Sequence, residues 1–204
     1  MTAAATTPKG ERRRAALAEA AAELLAEGGF DAVRHRAVAE RAGLPLASTT
    51  YYFDSLEDLV TTAVEHHSRI ELTASRQRLE VMATRNRGVQ ATIELALDML
   101  LGPATGDPEA DAEAVLLRYE RLVATGRRKY LRPIMRRLGD QFKELLLETF
   151  TRSGTPVTDA ELERLVALVD GAVVNALIEV DPDPRAAAAR MLHSALTENA
   201  AGVS

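Results

Sequence analysis

Apolar residues recur along this chain at three- and four-residue spacing, the period of amphipathic helices. Leu17, Ala21 and Leu24 start the series, with Thr7-Pro8 as a helix opening and Gly28-Gly29 as its close. Two short helices follow, over about 34–42 and 46–52, separated by a tight turn at Gly43. Ser55-Leu56-Glu57-Asp58 resembles a capping box and predicts a helix to about residue 84, with Leu59, Ala63, His66, Ile70, Thr73 and Leu79 facing inward. An apolar helix over 89–101 is closed by Gly102-Pro103, and Asp107-Pro108 restarts the chain. Val115, Tyr119 and Leu122 line one face of the next helix. Leu131, Met135, Leu138, Phe142, Leu145 and Phe150 mark another, ended by Gly154. Thr158-Asp159-Ala160-Glu161 caps a helix to about residue 180, Asp181-Pro182-Asp183-Pro184 stops it, and a last helix spans about 185–199. Strand signals and internal repeats are absent, so the expected fold class is all-α.

The stretch from Val33 to Phe53 organises the rest. Helices shorter than about 12–15 residues are marginal in water on their own, so two such helices need a scaffold. A helix–turn–helix supplies one, and presents its second helix to the DNA major groove. At about 100° per residue, Leu46, Thr49 and Phe53 fall on a core-like side with Tyr52 at its edge, and Ala47, Ser48, Thr50 and Tyr51 fall on the other. The second set is small and hydroxyl-bearing, with one aromatic ring and no charge. Such hydroxyls can bond base edges or phosphates. Arg34, His35 and Arg36 open the preceding helix, where cations oppose the helix dipole but suit an arriving phosphate. The competing reading of the same residues is a short connector between core helices.

The order A-V-A-E-R-A-G-L-P-L-A-S-T-T-Y-Y-F-D-S-L-E-D-L resembles the N-terminal domain of the tetracycline-repressor (TetR) family of bacterial transcription regulators, over roughly Arg12 to Leu59. The likeness rests on the Ala42-Gly43 turn, the Tyr51-Tyr52-Phe53 end of the second helix and the Ser-x-Glu-Asp-Leu start of the next. It implies a base contact from Arg36, a groove-facing run at Ser48, Thr50 and Tyr51, and a phosphate contact from Tyr52. With Arg34, His35, Leu46 and Ala47 these form the expected DNA-binding set. Leu56 departs from the pattern, since the family usually carries Lys there, and Arg34 stands where Thr or Ser is more usual.

Composition narrows the picture. The 204 residues are 47% hydrophobic but only 4% aromatic, and Ala and Leu dominate, as in helical proteins. A net charge of −5 argues against coating nucleic acid or anionic lipid indiscriminately. The reading stretch is nonetheless locally positive, with Arg34, Arg36 and Arg41 against Glu40. There is no Cys, hence no disulfide framework or thiolate metal site. No signal peptide or membrane span is apparent, so a soluble, cytoplasmic protein is expected. Adjacent His66 and His67 point about 100° apart on a helix, and H-E-x-x-H is absent, so no metal is expected. Nor is any cofactor. Lys9, Arg12, Arg13 and Arg14 read either as a solvated face or as a basic arm touching phosphates.

The helix over 162–180 bears two adjoining apolar stripes: Leu162, Val166, Val169, Val173 and Leu177, and beside them Leu165, Leu168, Ala172 and Ala176. Together they exceed the arc of about 100° that one core needs. Such a helix is buried in its own domain or shared between subunits. A homodimer is expected, with Leu138, Phe142 and Leu145 joining the first stripe at the interface; the resemblance implies a four-helix interface from two late helices of each subunit. It also implies a small-molecule pocket in the middle helices, for which Leu95, Met99, Arg118, Tyr119, Met135, Phe142 and Asn175 are the candidate lining. The expected organisation is a mobile arm (1–8), a three-helix DNA-binding domain (9–55) and a larger ligand-binding and dimerisation domain (56–204). The expected function is a regulator, more often a repressor, that binds a palindromic duplex operator and is released by a small-molecule effector. A helical adaptor without DNA binding and an all-helical enzyme are the alternatives. The enzyme is disfavoured by four His, no Cys and no nucleophile or phosphate-loop motif.

Overall fold

A computed structural model describes residues 7–83, 88–179 and 183–201. Among them are nine α-helices and no strand: α1 (Pro8–Ala32), α2 (His35–Arg41), α3 (Leu46–Tyr52), α4 (Leu56–Ala83), α5 (Val89–Leu101), α6 (Pro108–Gly126), α7 (Arg132–Arg152), α8 (Asp159–Ile178) and α9 (Pro184–Ala201). A single 3-10 turn, Lys129–Leu131, leads into α7. Thr7 and Pro8 open α1, as their capping chemistry predicts, so the expected mobile arm does not extend to residue 8: the Thr7 hydroxyl accepts from the Gly10 N–H at 3.1 Å. Residues 1–6 of that arm, the expected helix end at residue 84 and the stop at Asp181-Pro182 lie outside the described residues. The paired glycines kink α1 rather than end it, with Gly29 at a φ of 65°.

The helices form two compact units, and neither is a continuous piece of chain. The first takes residues up to Glu71 together with Glu120–Leu138; the second takes Leu72–Tyr119 and everything from Gly139 onward. In the first, α1 packs on α2 and α2 on α3. Their core joins Leu17, Ala21, Leu25, Val38 and Phe53 to Leu59 and Ala63 of α4, and to Leu131 and Ile134. In the second, α9 packs on α8 and α5, around Ile93, Leu97, Leu145, Phe150, Leu165, Val169, Val173 and Leu192. A boundary at residue 55 therefore differs from the observed grouping, because the first half of α4 and the start of α7 supply side chains to the first core. Ile70 and Thr73, expected inward on α4, are exposed, and so is Leu122 of α6.

The stripe of α8 expected to meet a second subunit faces its own chain instead. Leu162, Val169 and Val173 are buried in the second core, and Val166 and Leu177 are half-buried against it. Leu145 is buried there too and Phe142 half-buried, while Leu138 packs on the first core. The physical reason is α9, which supplies from within the chain the apolar partner that a second subunit was expected to bring. Among the residues of α8 that face outward are Leu168, Gly171, Val174, Asn175 and Ile178, the last 73% exposed, together with the charged Glu163, Arg164 and Asp170.

Candidate functional site

The turn between α2 and α3 is fixed by backbone bonds. The Leu44 N–H donates to the Ala39 carbonyl at 2.9 Å and the Gly43 N–H to the Glu40 carbonyl at 3.2 Å. This paired pattern closes a helix on a left-handed residue, and Gly43 supplies it with a φ of 62°. Beyond Pro45, α3 is anchored from below. Thr49 is fully buried, its hydroxyl donating to the Leu46 carbonyl at 2.8 Å, and Phe53 is buried directly after the helix.

Burial of Thr49 and Phe53 leaves Ala47, Thr50 and Tyr51 outward. Tyr51 is 54% exposed, its ring edge-on to Tyr52 with centroids 5.0 Å apart. Tyr52 is half-buried against the first core, and Ser48 is also half-buried. Leu46, placed by periodicity on the core side, is 51% exposed because it occupies the first position of α3, beyond the edge of that core. The Thr50 hydroxyl donates to the Ala47 carbonyl at 3.3 Å and keeps its acceptor lone pairs outward.

The three arginines of this stretch have different roles. Arg41 bridges α2 to α1: its guanidinium meets both carboxylate oxygens of Glu27, at 2.9 and 2.7 Å, and Glu23 at 3.2 Å. These hydrogen bonds hold Glu27 below the usual carboxylate range. The Arg41 charge is thus turned toward α1, and the positive balance read from the sequence narrows accordingly. Arg36 projects into solvent and pairs with Glu40 at 2.9 Å, both side chains mostly exposed. Such a pair is weak and exchanges readily for another anion. Arg34 is exposed, its Nε donating to the Asp31 carbonyl at 2.9 Å. His35 is half-buried, with Nδ1 shielded from solvent and making no hydrogen bond.

Two family models match the chain: "Tetracyclin repressor-like, C-terminal domain" over residues 87–198 and "Bacterial regulatory proteins, tetR family" over residues 17–63. The chain belongs to the TetR family. It is accordingly a ligand-responsive, DNA-binding transcription regulator of the all-α, helix–turn–helix type. Among solved structures it is similar to the multidrug binding protein EbrR complexed with ethidium, at 28% identity over 90% of this chain and 97% of that one, TM-score 0.62. Two further likenesses speak to the fold alone. A TetR transcription regulator from Haloarcula marismortui is 17% identical over 92% of this chain and 98% of its own, TM-score 0.65. A protein from Saccharomonospora viridis in complex with choline is 20% identical over 93% and 97%, TM-score 0.67. No curated protein matches the chain.

The candidate ligand residues of this TetR-family chain separate into two groups. Leu95 and Met99 are buried in the second core, with Tyr119 and Phe142 half-buried against it. Arg118 donates from Nη2 to the Met99 carbonyl at 3.2 Å. The Tyr119 hydroxyl donates to Asp170 Oδ1 at 2.7 Å; burial first, and then the carboxylate, push it far above a phenol's ordinary range, so it remains a donor. Met135 is not among them, because the start of α7 packs on the first core. Asn175 is not either: two residues from buried Val173, it faces the opposite side of α8. Sequence reasoning missed Asp170 and also Thr149, fully buried with its hydroxyl donating to the Leu145 carbonyl at 2.8 Å and lying 3.7 Å from Met99 Sδ. An open cleft of about 660 Å³ elsewhere in the second unit is bordered by Asp107, Glu109 and Glu113, with Leu116 and Leu177 as apolar walls. No cluster of His, Asp or Glu suited to a metal ion occurs among the described residues, and none of their helices is long and apolar enough to cross a membrane.

Proposed function

We propose that this chain represses transcription in the cytoplasm, without enzymatic activity. It binds a palindromic operator as a homodimer and leaves it when a small organic molecule occupies the second unit. The observation that carries the reading is the outward face of α3, where Ala47, Thr50 and Tyr51 stand clear on a helix pinned by Thr49 and Phe53. Arg36 accompanies it as a loosely paired cation. One short helix offers few base contacts, and a two-fold pair spaced about 34–36 Å apart reads successive major grooves. The outward face of α8 supports such pairing: Leu168, Val174 and Ile178 are exposed apolar side chains, and Gly171 among them allows close helix approach. Exposed Met191 on α9 is a further candidate.

Regulation follows as a population shift, in which ligand favours a form whose reading heads are wrongly spaced. Helix α4 runs from the reading unit into the ligand-binding unit and is the natural lever. EbrR, the relative at 28% identity, is complexed with ethidium, so organic cations are the first effectors to screen by melting-temperature shift. The deciding experiment is selection of bound duplexes from a random pool, followed by footprinting. A protected two-fold site is expected, and Tyr51→Ala should weaken binding to it by roughly 1–3 kcal/mol with the fold intact. A pool with no enriched sequence, or a Tyr51→Ala protein that binds as well as the parent, would overturn the assignment. Light scattering that returned one chain's mass would remove the dimer.

A further inference from the structure

The first turns of α1 carry cations that no intramolecular pairing explains. Lys9, Arg12, Arg13 and Arg14 occur within six residues, with Glu11 as the one carboxylate between them. All four are exposed. None has a carboxylate partner among the described residues; Arg12 only donates from Nε to the Pro8 carbonyl at 3.1 Å. Arg41, Arg152 and Arg185, by contrast, each meet an acid. Cations at the start of a helix oppose its dipole. In a chain of net charge −5, carboxylates to neutralise them are plentiful. Lys9 and Arg13, one turn apart, share a flank of α1, and Glu11 lies about 160° round the helix from Arg13.

Arg14, about 100° round the helix from Arg13, fixes where these turns of α1 sit. Its guanidinium carbon lies 5.3 Å from the centre of the Phe53 ring, the residue that directly follows α3. The cationic turns of α1 therefore stand beside the C-terminal end of the helix whose outward face carries Thr50 and Tyr51. We propose that Lys9, Arg12 and Arg13 form a phosphate-contacting surface that grips the duplex backbone flanking the groove entered by α3. This inference rests on the reading of α3 as the DNA-facing helix. It assigns to α1 the sequence-independent part of the affinity, and to α3 the discrimination between bases.

The test compares the parent with a Lys9→Gln/Arg12→Gln/Arg13→Gln variant; Arg14 is retained because it touches Phe53. Binding to a random-sequence duplex and to the selected operator is followed by fluorescence anisotropy across a salt series. The slope of log affinity against log salt should fall in magnitude by about 0.9 for each phosphate that a chain no longer neutralises. The ratio of operator to random-duplex affinity should stay as in the parent. The melting temperature should hold or rise slightly, since cations leave a helix start. Tyr51→Ala should do the reverse, lowering the ratio and keeping the slope. An unchanged slope in the triple variant overturns the inference and leaves the reading of α3 standing. So does a variant that loses binding only to phosphatidylglycerol vesicles. A parent that binds no duplex at all overturns both.

Discussion

Replacing Gly43 by Ala isolates the conformational cost of the turn that sets α3 against α2. The residue has a φ of 62°, and a Cβ added there would meet no atom within 4 Å. The penalty is therefore one of backbone conformation, with no overlap to relieve. Placing an L-residue in the left-handed region costs about 1–2 kcal/mol. The stiffer unfolded chain returns roughly 0.4–1 kcal/mol of that, which leaves a net loss near 1 kcal/mol. For a chain of this length that corresponds to a melting-temperature drop of about 2–4 °C. Asn tolerates the left-handed region far better than Ala, so Gly43→Asn should lose less than half as much. Paired urea titrations of the two variants, read by far-UV circular dichroism, measure both. An Ala variant as stable as the parent would refute the argument. Equal losses for Ala and Asn would also refute it, since they would point to crowding that the geometry does not contain.

Two further outcomes follow from the caps and titrating groups. Thr158 closes a reciprocal cap at the start of α8, its hydroxyl accepting from the Glu161 N–H at 3.3 Å while the Glu161 carboxylate accepts from the Thr158 N–H at 2.8 Å. Thr158→Ala should cost about 1 kcal/mol in urea unfolding; a loss below a few tenths would show that the packing of α8 holds the helix start unaided. His66 titrates below its ordinary value of 6.5, chiefly because burial disfavours its charged form, with Arg69 adding to the shift and Glu19 opposing it. The unfolded chain takes up that proton first. Its contribution is therefore complete above about pH 6.5 and is lost as pH falls through the lower folded value. His66→Gln should flatten the fall in melting temperature between about pH 7 and pH 5; an unaltered pH profile would assign the slope to other groups.

The helices themselves were legible because their punctuation is chemical. Thr7-Pro8, Gly43, Gly102 and the Thr158 box each start or stop the chain where expected, and the bounds of α3 and α5 match the apolar spacing. The outward face of α3 was legible for the same reason, since Thr49 and Phe53 repeat at helical spacing. Periodicity says that a face is covered and is silent on what covers it. The width of the α8 stripe fits burial in its own domain or a second subunit equally, and it is α9 of the same chain that lies on it. By spacing alone Leu131, Met135 and Phe142 form one continuous ridge, yet Leu131 lies in the 3-10 turn before α7 and the three serve two different cores. Charge has the same limit: nothing in the spacing of Arg41 announces Glu23 and Glu27, which lie well away in sequence.

The discontinuity of the first unit bears on how the protein is made and how it can be cut. Leu131 and Ile134 are buried beside Leu17, Val38 and Phe53, so a nascent chain leaves that core incomplete until the ribosome has released α6 and the opening turn of α7. A fragment ending at Glu71 would expose the apolar surface those two side chains cover. Anyone grafting this reading head onto another regulator has to transplant residues 120–138 along with it.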